Sequence, residues 1–300
     1  LKDRLEIIEI SSYTNYDKKE IAKKHLIPKL LKEYRIKDNN ITIDDNAITK
    51  IIEDYTKEAG ARELKRKIEE ICRVIVTEDI HDIVITNENL DTYLGTSKYF
   101  HSKNEKFAES GTINALAYTI YGGEILKISA TSYKGEGKLK VTGNIGKVMK
   151  ESVEVALSFV RSNADKFGID DLLFQFRDFH VHIEEGSTPK DGPSAGVAIA
   201  TSLISLLKNK IIPHDISMTG EITLRGSILA IGGLKEKLIA AMDNGIKRVF
   251  IPVMNKHDLE DVPDEVKKSL DLVFVKNYFD IYYYLFNMEG NPIIEEEQKD

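Results

Sequence analysis

The sequence is poor in cysteine, and none of its apolar runs is long enough to cross a membrane. Cys72 is the single cysteine among 300 residues, which excludes an internal disulfide framework and a zinc site built from cysteines. A membrane-spanning helix needs about 18 consecutive apolar residues, and no run in this chain approaches that length. The N-terminal residues also lack the basic, apolar and small-residue regions of a signal peptide. These absences predict an intracellular protein.

The charge is only mildly acidic, with 42 Lys and Arg residues against 49 Asp and Glu and a formal net charge of −7. Almost half of that excess lies in the last ten residues, so the charge argues only weakly against nucleic acid as a partner. The hydrophobic content of 42% excludes a wholly disordered chain, and the length predicts two domains. Because the sequence begins at Leu1 and not at Met, we expect a piece of a longer protein.

Apolar residues at helical spacing predict that the first ~95 residues are mainly helical. We expect a first helix from Asp17 that bends at Pro28, a second over 45–58 and a third over 61–79. A short strand, Ile83–Ile85, and a helical turn over 87–94 follow. Residues 95–108 are polar and aperiodic, which predicts a linker. The predicted buried faces of the second and third helices consist of Ile48, Ile51, Ile52, Tyr55, Leu64, Ile68, Ile71, Cys72 and Ile75.

The pattern changes after about Gly111, where short apolar strands alternate with helices. This mixture predicts an α+β domain of roughly 180 residues. The predicted strands cover 113–120, 123–133, 138–142, 216–218, 222–224, 228–230, 248–252 and 272–275, with one more within 174–184. The predicted helices cover 145–166, 194–208, 234–244, 264–270 and 278–286.

The stretch Pro189-Lys-Asp-Gly-Pro-Ser-Ala-Gly196 is the most informative in the chain. Glycine and proline predict a tight turn that delivers Ser194 to the start of an apolar helix. A serine in that place lies beside free backbone N–H groups and the positive end of the helix dipole. These are the requirements of an acyl-transfer nucleophile. The alternative is that Ser194 only caps the helix.

A nucleophilic serine needs a base, and the sequence offers histidines and lysines. His180 and His182 lie in a strand that leads towards the serine, while Lys235 and Lys237 lie at the start of a later helix. A lysine becomes a competent base when burial in an apolar site lowers its pKa. The spacing alone does not choose between the lysines or exclude a histidine. A zinc site is a further alternative, because His180, His182 and Glu184 alternate along one strand face.

Three segments in order make the chain similar to a known family. The run Thr188-Pro-Lys-Asp-Gly-Pro-Ser-Ala-Gly196 resembles the active-site loop of the Lon (ATP-dependent protease La) family, A type. Met218-Thr-Gly-Glu-Ile-Thr-Leu-Arg-Gly226 and Ile231-Gly-Gly-Leu-Lys-Glu-Lys-Leu238 resemble two more Lon segments. The resemblance implies a Ser–Lys dyad, with Ser194 as nucleophile and Lys237 as general base. It also implies that Thr219 orients the lysine, that Asp191 and Glu221 line the site, that His180 and His182 shape it, and that N–H groups near Gly192 and Ser194 receive the oxyanion.

The N-terminal part resembles the ATPase module of the same family. Leu1-Lys-Asp-Arg-Leu-Glu6 is similar to the end of the large ATPase subdomain, which makes Arg4 an arginine that reaches a neighbouring subunit's nucleotide. Tyr55-Thr-Lys-Glu-Ala-Gly-Ala-Arg62 is similar to the sensor-2 segment, with Arg62 as the nucleotide-sensing arginine. No Gly-x-x-x-x-Gly-Lys-Ser/Thr motif occurs in the sequence. We therefore expect no cofactor in the peptidase part, and ATP with Mg²⁺ as cofactors of a longer protein only.

The resemblance implies a multidomain fold, an all-α AAA+ lid subdomain followed by an α+β Lon-type peptidase domain. The expected parts are a remnant of the large ATPase subdomain over 1–4, the lid over 5–94, a linker over 95–108, the peptidase domain over 109–290 and an acidic tail over 291–300. The expected function is ATP-dependent cleavage of unfolded or damaged polypeptides and selected regulators by a homohexamer. The expected compartment is the bacterial cytoplasm, or the mitochondrial matrix in a eukaryote, with no membrane partner.

Four alternatives stay open at this point. The chain could be a peptidase-inactive scaffold, or a weak DNA-binding module that uses Lys23, Lys24 and the run Lys65-Arg-Lys67. His182 could replace lysine as the base. The loop could also hold Asp191 over Ser194 in an inactive arrangement, in which case Ser194 Oγ and Lys237 Nζ would lie well beyond ~3.2 Å from each other.

Overall fold

The computed structural model describes residues 13–36, 40–97, 99, 109–119, 122–184 and 189–286. The chain forms two compact units, which divide between residues 103 and 104. Arg4, most of the predicted linker and the acidic tail lie outside the described residues. Within the described residues, no helix is both long enough and apolar enough to span a bilayer.

The first unit opens with a long helical run in three parts. Helix α1 (Asn15–Ile21) begins at a capping box formed by Thr14 and Asp17, a π-helical segment (Ala22–Leu26) follows, and helix α2 (Ile27–Glu33) completes the run. Pro28 lies in the first turn of α2, where the missing N–H of proline is tolerated. The sequence predicts a bend or a join at Pro28, and the structure has a join between a π-helical and an α-helical segment just before it.

The remaining elements of this unit close a small core. Strand β1 (Ile41–Ile43) precedes helix α3 (Asp45–Lys50), a π-helical segment (Ile51–Tyr55) and helix α4 (Arg62–Thr77). Strand β2 (Ile83–Ile85) pairs in parallel with β1, and helix α5 (Leu90–Leu94) ends the series. The predicted apolar faces of the second and third helices are buried in this core. The unit is therefore helical as predicted, with one strand, β1, that the sequence pattern did not predict.

The second unit contains a seven-stranded mixed sheet with helices. In chain order the elements are β3 (Thr112–Thr119), β4 (Gly122–Lys134), β5 (Leu139–Thr142), α6 (Lys147–Ser162), α7 (Ala164–Phe167), α8 (Leu173–Phe176), β6 (Arg177–Ile183), α9 (Gly196–Lys208), β7 (Ile216–Met218), β8 (Glu221–Ile222), β9 (Ile228–Leu229), α10 (Leu234–Asp243), β10 (Arg248–Pro252), α11 (Asp264–Ser269), β11 (Asp271–Val275) and α12 (Tyr278–Phe286).

The strands of the seven-stranded sheet follow the order β11-β10-β7-β3-β4-β6-β5. The pairs β11/β10, β10/β7, β7/β3 and β6/β5 are parallel, while β4/β6 is antiparallel. Strands β8 and β9 form a separate antiparallel hairpin.

The central strands of this sheet are buried on both faces. Along β3, Ala115 packs into an apolar cluster with α6, α9 and α12, whereas Leu116 packs into a second cluster with α10 and α11. Along β10, Phe250 joins the first cluster and Val249 the second. Successive strand residues point to opposite faces, so the sheet is a layer between two groups of helices. This arrangement confirms the α+β architecture and explains why these strands are almost wholly apolar.

Candidate active site

The serine loop, residues 189–195, is attached to the start of α6. Lys190 pairs with Ile145 in an isolated parallel bridge. Its carbonyl accepts a hydrogen bond from the N–H of Gly146 at 2.7 Å, and its own N–H donates to Asn144 O at 3.1 Å. Gly192 has a φ of +117°, a left-handed conformation that strongly favours glycine. These constraints fix the direction in which the loop enters α9.

Asp191 caps the N-terminus of α6. Its Oδ1 accepts hydrogen bonds from the N–H groups of Met149 at 2.8 Å and Gly192 at 2.9 Å. A Cβ at Gly146 would collide with the Asp191 carboxyl group, so glycine is needed there. The carboxylate thus satisfies a free N–H at the positive end of a helix. The hypothesis that Asp191 lies over Ser194 in an inactive arrangement is wrong for this structure.

Ser194 is held by its own carbonyl group, which accepts two hydrogen bonds. The N–H of Gly220 donates at 2.8 Å and Thr219 Oγ1 donates at 3.2 Å. In return, the N–H of Val197 donates to Gly220 O at 3.1 Å. The N-cap of α9 is Ala195, and no side chain caps this helix. The helix-cap interpretation of Ser194 is therefore wrong, and its hydroxyl points to a different partner.

That partner is Lys237, on the first turns of α10. Lys237 Nζ donates to Ser194 Oγ at 2.9 Å and to Thr219 Oγ1 at 3.0 Å. The lysine is only 2% exposed, and burial lowers its pKa to about 8. Lys235 is half-exposed and is not part of this hydrogen-bond set. Of the two lysines that the sequence left open, Lys237 is the one that lies beside the serine.

The hydrogen bonds around Lys237 suit a change of protonation state. The single proton of the Thr219 hydroxyl goes to Ser194 O, so Thr219 Oγ1 can only accept from Lys237. When Lys237 is neutral, two N–H bonds and one lone pair remain on its nitrogen. One N–H then donates to Thr219, and the lone pair is free to accept the Ser194 proton. The hydrogen bonds of Thr219 to both neighbours are the ones that a residue orienting the amine would make.

His180 and His182 both contact the side chain of Thr142. Thr142 Oγ1 lies 2.9 Å from His180 Nε2 and 2.7 Å from His182 Nδ1. Burial, with the nearby Lys140 as a smaller cause, lowers the pKa of His180. Glu184 instead accepts a hydrogen bond from Ser129 at 2.8 Å. Across the described part of the chain, no three His, Cys, Asp or Glu side chains are placed to hold a metal ion.

Two family models match the chain in sequence order. The model described as the Lon protease (S16) C-terminal proteolytic domain matches residues 84–287, and the Lon protease AAA+ ATPase lid domain matches residues 32–83. The chain belongs to the Lon protease family. The lid model thus falls within the first unit, whereas the proteolytic model covers the last elements of the first unit as well as the second unit.

Similar curated proteins carry the same family name. The Lon protease of Aster yellows witches'-broom phytoplasma (strain AYWB) is 49% identical over 290 residues, which is 95% of this chain and 37% of that protein. The Lon protease of Rhizobium meliloti (strain 1021) is 46% identical over 297 residues, 98% of this chain and 37% of that protein. The Lon protease of Desulforamulus reducens (strain ATCC BAA-1160 / DSM 100696 / MI-1) is 46% identical over 279 residues, 92% of this chain and 34% of that protein. The chain therefore spans little more than a third of the curated Lon proteases it matches.

Glu221, Arg62 and the lysines considered for DNA contact make none of the hydrogen bonds described above for Ser194 and Lys237. Glu221 starts β8 with a half-buried side chain, directly after Gly220. Arg62 is exposed at the first position of α4, where its N–H donates to Glu58 Oε2 at 2.8 Å. The lysines considered for DNA contact make ion pairs with carboxylates, Lys23 with Asp45, Lys24 with Glu20, Lys65 with Glu69 and Lys67 with Glu70.

The backbone N–H groups near Ser194 differ in whether they already donate a hydrogen bond. Pro193 has no N–H, and the N–H of Gly192 already donates to Asp191. Among the described backbone hydrogen bonds, none uses the N–H of Ser194 or Ala195. These two groups are therefore the donors available beside Ser194 Oγ. Sequence reasoning also missed Ser152 on α6, whose hydroxyl donates to Pro193 O at 3.3 Å; its only signal is a serine on an otherwise apolar helix face.

Proposed function

We propose that this chain is the peptidase-bearing part of an ATP-dependent serine endopeptidase that degrades unfolded or damaged polypeptides and selected regulators. The observation that carries the proposal is the distance of 2.9 Å between Ser194 Oγ and Lys237 Nζ. A hydroxyl in hydrogen-bond contact with a buried amine is the arrangement that serine nucleophiles with a lysine base require. Membership of the Lon family supports the same reaction.

The peptide bond is cleaved through an acyl-enzyme. Neutral Lys237 takes the proton of Ser194, and Ser194 Oγ attacks the carbonyl carbon of the substrate. The N–H groups of Ser194 and Ala195 stabilise the oxyanion that forms. Lys237 then protonates the leaving amine, and a water molecule deprotonated by Lys237 hydrolyses the ester. Burial favours this cycle, since it keeps the pKa of Lys237 at about 8, where the neutral amine is available near physiological pH.

We infer that ATP with Mg²⁺ acts in a longer protein, which supplies the phosphate-binding motif that this sequence lacks. Arg62 fits the role of a residue that senses the phosphates, because it is exposed at the start of α4. Arg4 serves a neighbouring subunit's nucleotide in the same scheme. We propose a homohexamer in the bacterial cytoplasm as the working form.

Covalent labelling of Ser194 tests this function. The 300-residue chain is treated with a serine-directed fluorophosphonate, and the adduct is located by peptide mass spectrometry. We expect labelling at Ser194 that disappears in Ser194→Ala and in Lys237→Ala but persists in Lys235→Ala. A chain that is not labelled at any pH from 7 to 9 would instead support the peptidase-inactive scaffold.

A further inference from the structure

A small polar cluster lies behind the serine loop, inside the main apolar core of the second unit. It consists of Thr201 on α9, Met218 at the end of β7 and Tyr278 at the start of α12, and all three side chains are fully buried. A buried hydroxyl is costly unless it is hydrogen-bonded. A buried cluster whose polar groups are all hydrogen-bonded therefore favours one position of α9, β7 and α12 relative to one another.

The direction of the hydrogen bonds in this cluster follows from the number of protons. Thr201 Oγ1 donates to Val197 O at 2.9 Å and lies 3.2 Å from Met218 Sδ and 2.8 Å from Tyr278 OH. The distance between the two hydroxyls allows either to donate. A threonine hydroxyl has one proton, and when that proton lies on Val197 O, Tyr278 is the donor to Thr201. Burial raises the pKa of Tyr278 above its ordinary value, which keeps that proton in place.

The cluster lies directly behind the residues that hold Ser194. Met218 precedes Thr219, and the N–H of Val197 binds Gly220 O, while the N–H of Gly220 binds Ser194 O. Helix α9 is thus joined to the end of β7 at its first turn by backbone hydrogen bonds and again at Thr201 by a side chain. Tyr278 adds a third element, because its N–H donates to Gly226 O at 2.8 Å and fixes the start of α12.

We propose that Thr201 and Tyr278 are positioning residues of the peptidase site. Their linked hydroxyls tie α9 to α12, and the contact of Thr201 with Met218 holds α9 against β7, so that together they set the approach of Ser194 to Lys237. This inference rests on the proposed function. Neither residue touches the reacting atoms, and both act through the placement of Ser194. A small misplacement of a nucleophile is enough to slow an enzymatic step by up to about a hundredfold.

Variants of the full 300-residue chain test the proposal through the rate of Ser194 acylation as a function of pH. Thr201→Val removes the hydroxyl and keeps the shape, and we expect acylation about tenfold slower. We also expect the midpoint of its pH profile to move upward, since a displaced α9 admits water to Lys237. Thr201→Ser keeps the hydroxyl, so we expect the acylation rate and the midpoint of the pH profile to match those of wild type. Tyr278→Phe should slow acylation less than Thr201→Val does. The double variant Thr201→Val/Tyr278→Phe should be no slower than Thr201→Val alone, because both substitutions remove the same hydrogen bond between the two hydroxyls.

Ser202→Ala is the matched control. Ser202 is fully buried on the same helix, but its hydroxyl donates to Gly111 O at 2.6 Å and not to the cluster. We expect this variant to lower the Tm while the acylation rate and its pH midpoint stay unchanged. If Thr201→Val behaves like Ser202→Ala in rate and midpoint, the cluster is only structural and the proposal is wrong.

Amide hydrogen exchange separates this outcome from a failure of the proposed function. The N–H groups of Val197 and Gly220 join α9 to the end of β7, so they should exchange faster in Thr201→Val than in Ser202→Ala. This result holds even if Ser194 is never labelled, in which case only the proposed function fails. Equal exchange in the two variants would overturn the positioning role.

Discussion

Lys237 Nζ donates to Ser194 Oγ across 2.9 Å from a position that is almost completely closed to solvent. The two residues are 43 positions apart in the chain, and separate elements bring them together. Ser194 is carried by the loop before α9, and Lys237 by the first turns of α10. Thr219, at the end of β7, contacts both of them.

Loss of the Thr219 hydroxyl should slow acylation without unfolding the protein. Thr219→Val removes the acceptor of Lys237 Nζ and the donor to Ser194 O, so we expect the acylation rate to fall by about tenfold or more. Thr219→Ser, which keeps both hydrogen bonds, should stay close to wild type. Ser217→Ala is the control, because Ser217 is buried on β7, two residues before Thr219, but its hydroxyl donates to Asn114 O. Equal rates in Thr219→Val and Ser217→Ala would show that Thr219 does not orient the lysine.

Much of the fold could be predicted because a helix that is buried on one side carries apolar residues at a regular helical spacing along its sequence. The stripe of Leu64, Ile68 and Ile71 predicts α4, and all three side chains are buried in the core of the first unit. Strand β1 was missed because it is only three residues long and lies between asparagines and aspartates, which are typical of loops.

The site could be predicted only in part. Ser194 stands out because its loop combines glycine and proline before an apolar helix. The choice between Lys235 and Lys237 depends on which side of α10 faces the sheet, and this is decided by tertiary packing. The cap that Asp191 supplies to Met149, 42 residues away, leaves no local pattern. The bond between Thr201 and Tyr278 spans 77 residues and is equally invisible in the sequence.

Burial of Lys237 should cost stability at neutral pH. Between pH 8 and about 10.4 the unfolded chain binds a proton at this lysine that the folded chain does not, so its contribution to stability rises with pH across that window. Lys237→Met should therefore raise the free energy of unfolding at pH 7 by up to about 3 kcal/mol relative to wild type. The difference should shrink towards pH 10.

Urea unfolding of wild type and variants at pH 7 and pH 10 measures this effect. Comparison of each variant with wild type at the same pH cancels the contributions of other titrating groups. Lys235→Met is the control, since Lys235 is half-exposed, and we expect it to change stability by no more than about 0.5 kcal/mol. A Lys237→Met protein that is less stable than wild type at pH 7 would mean that the buried amine carries no net desolvation cost.

The packing of Gly123 against α10 should also matter for Lys237. A Cβ at Gly123 would collide with the carbonyl oxygen of Glu236, the residue before Lys237, and would lie 2.9 Å from Ala240 Cβ. Gly123→Ala should cost about 1–3 kcal/mol of stability and slow acylation, because α10 must shift. Gly232 lies near the start of the same helix, but a Cβ there meets no atom within 4 Å, so Gly232→Ala should be neutral. Thermal unfolding and the rate of Ser194 acylation are measured for both variants. A wild-type acylation rate in Gly123→Ala would show that the close packing of Gly123 against α10 does not affect Lys237.

The pH dependence of Ser194 acylation tests the role of Lys237 as the base most directly. A neutral lysine is required, so the rate should rise with pH and reach half of its maximum near pH 8, the pKa that burial gives to Lys237. Lys237→Ala should abolish acylation, and His182→Ala should leave the profile in place. A half-maximum near pH 6.5, the ordinary pKa of histidine, together with acylation that survives in Lys237→Ala, would contradict the account.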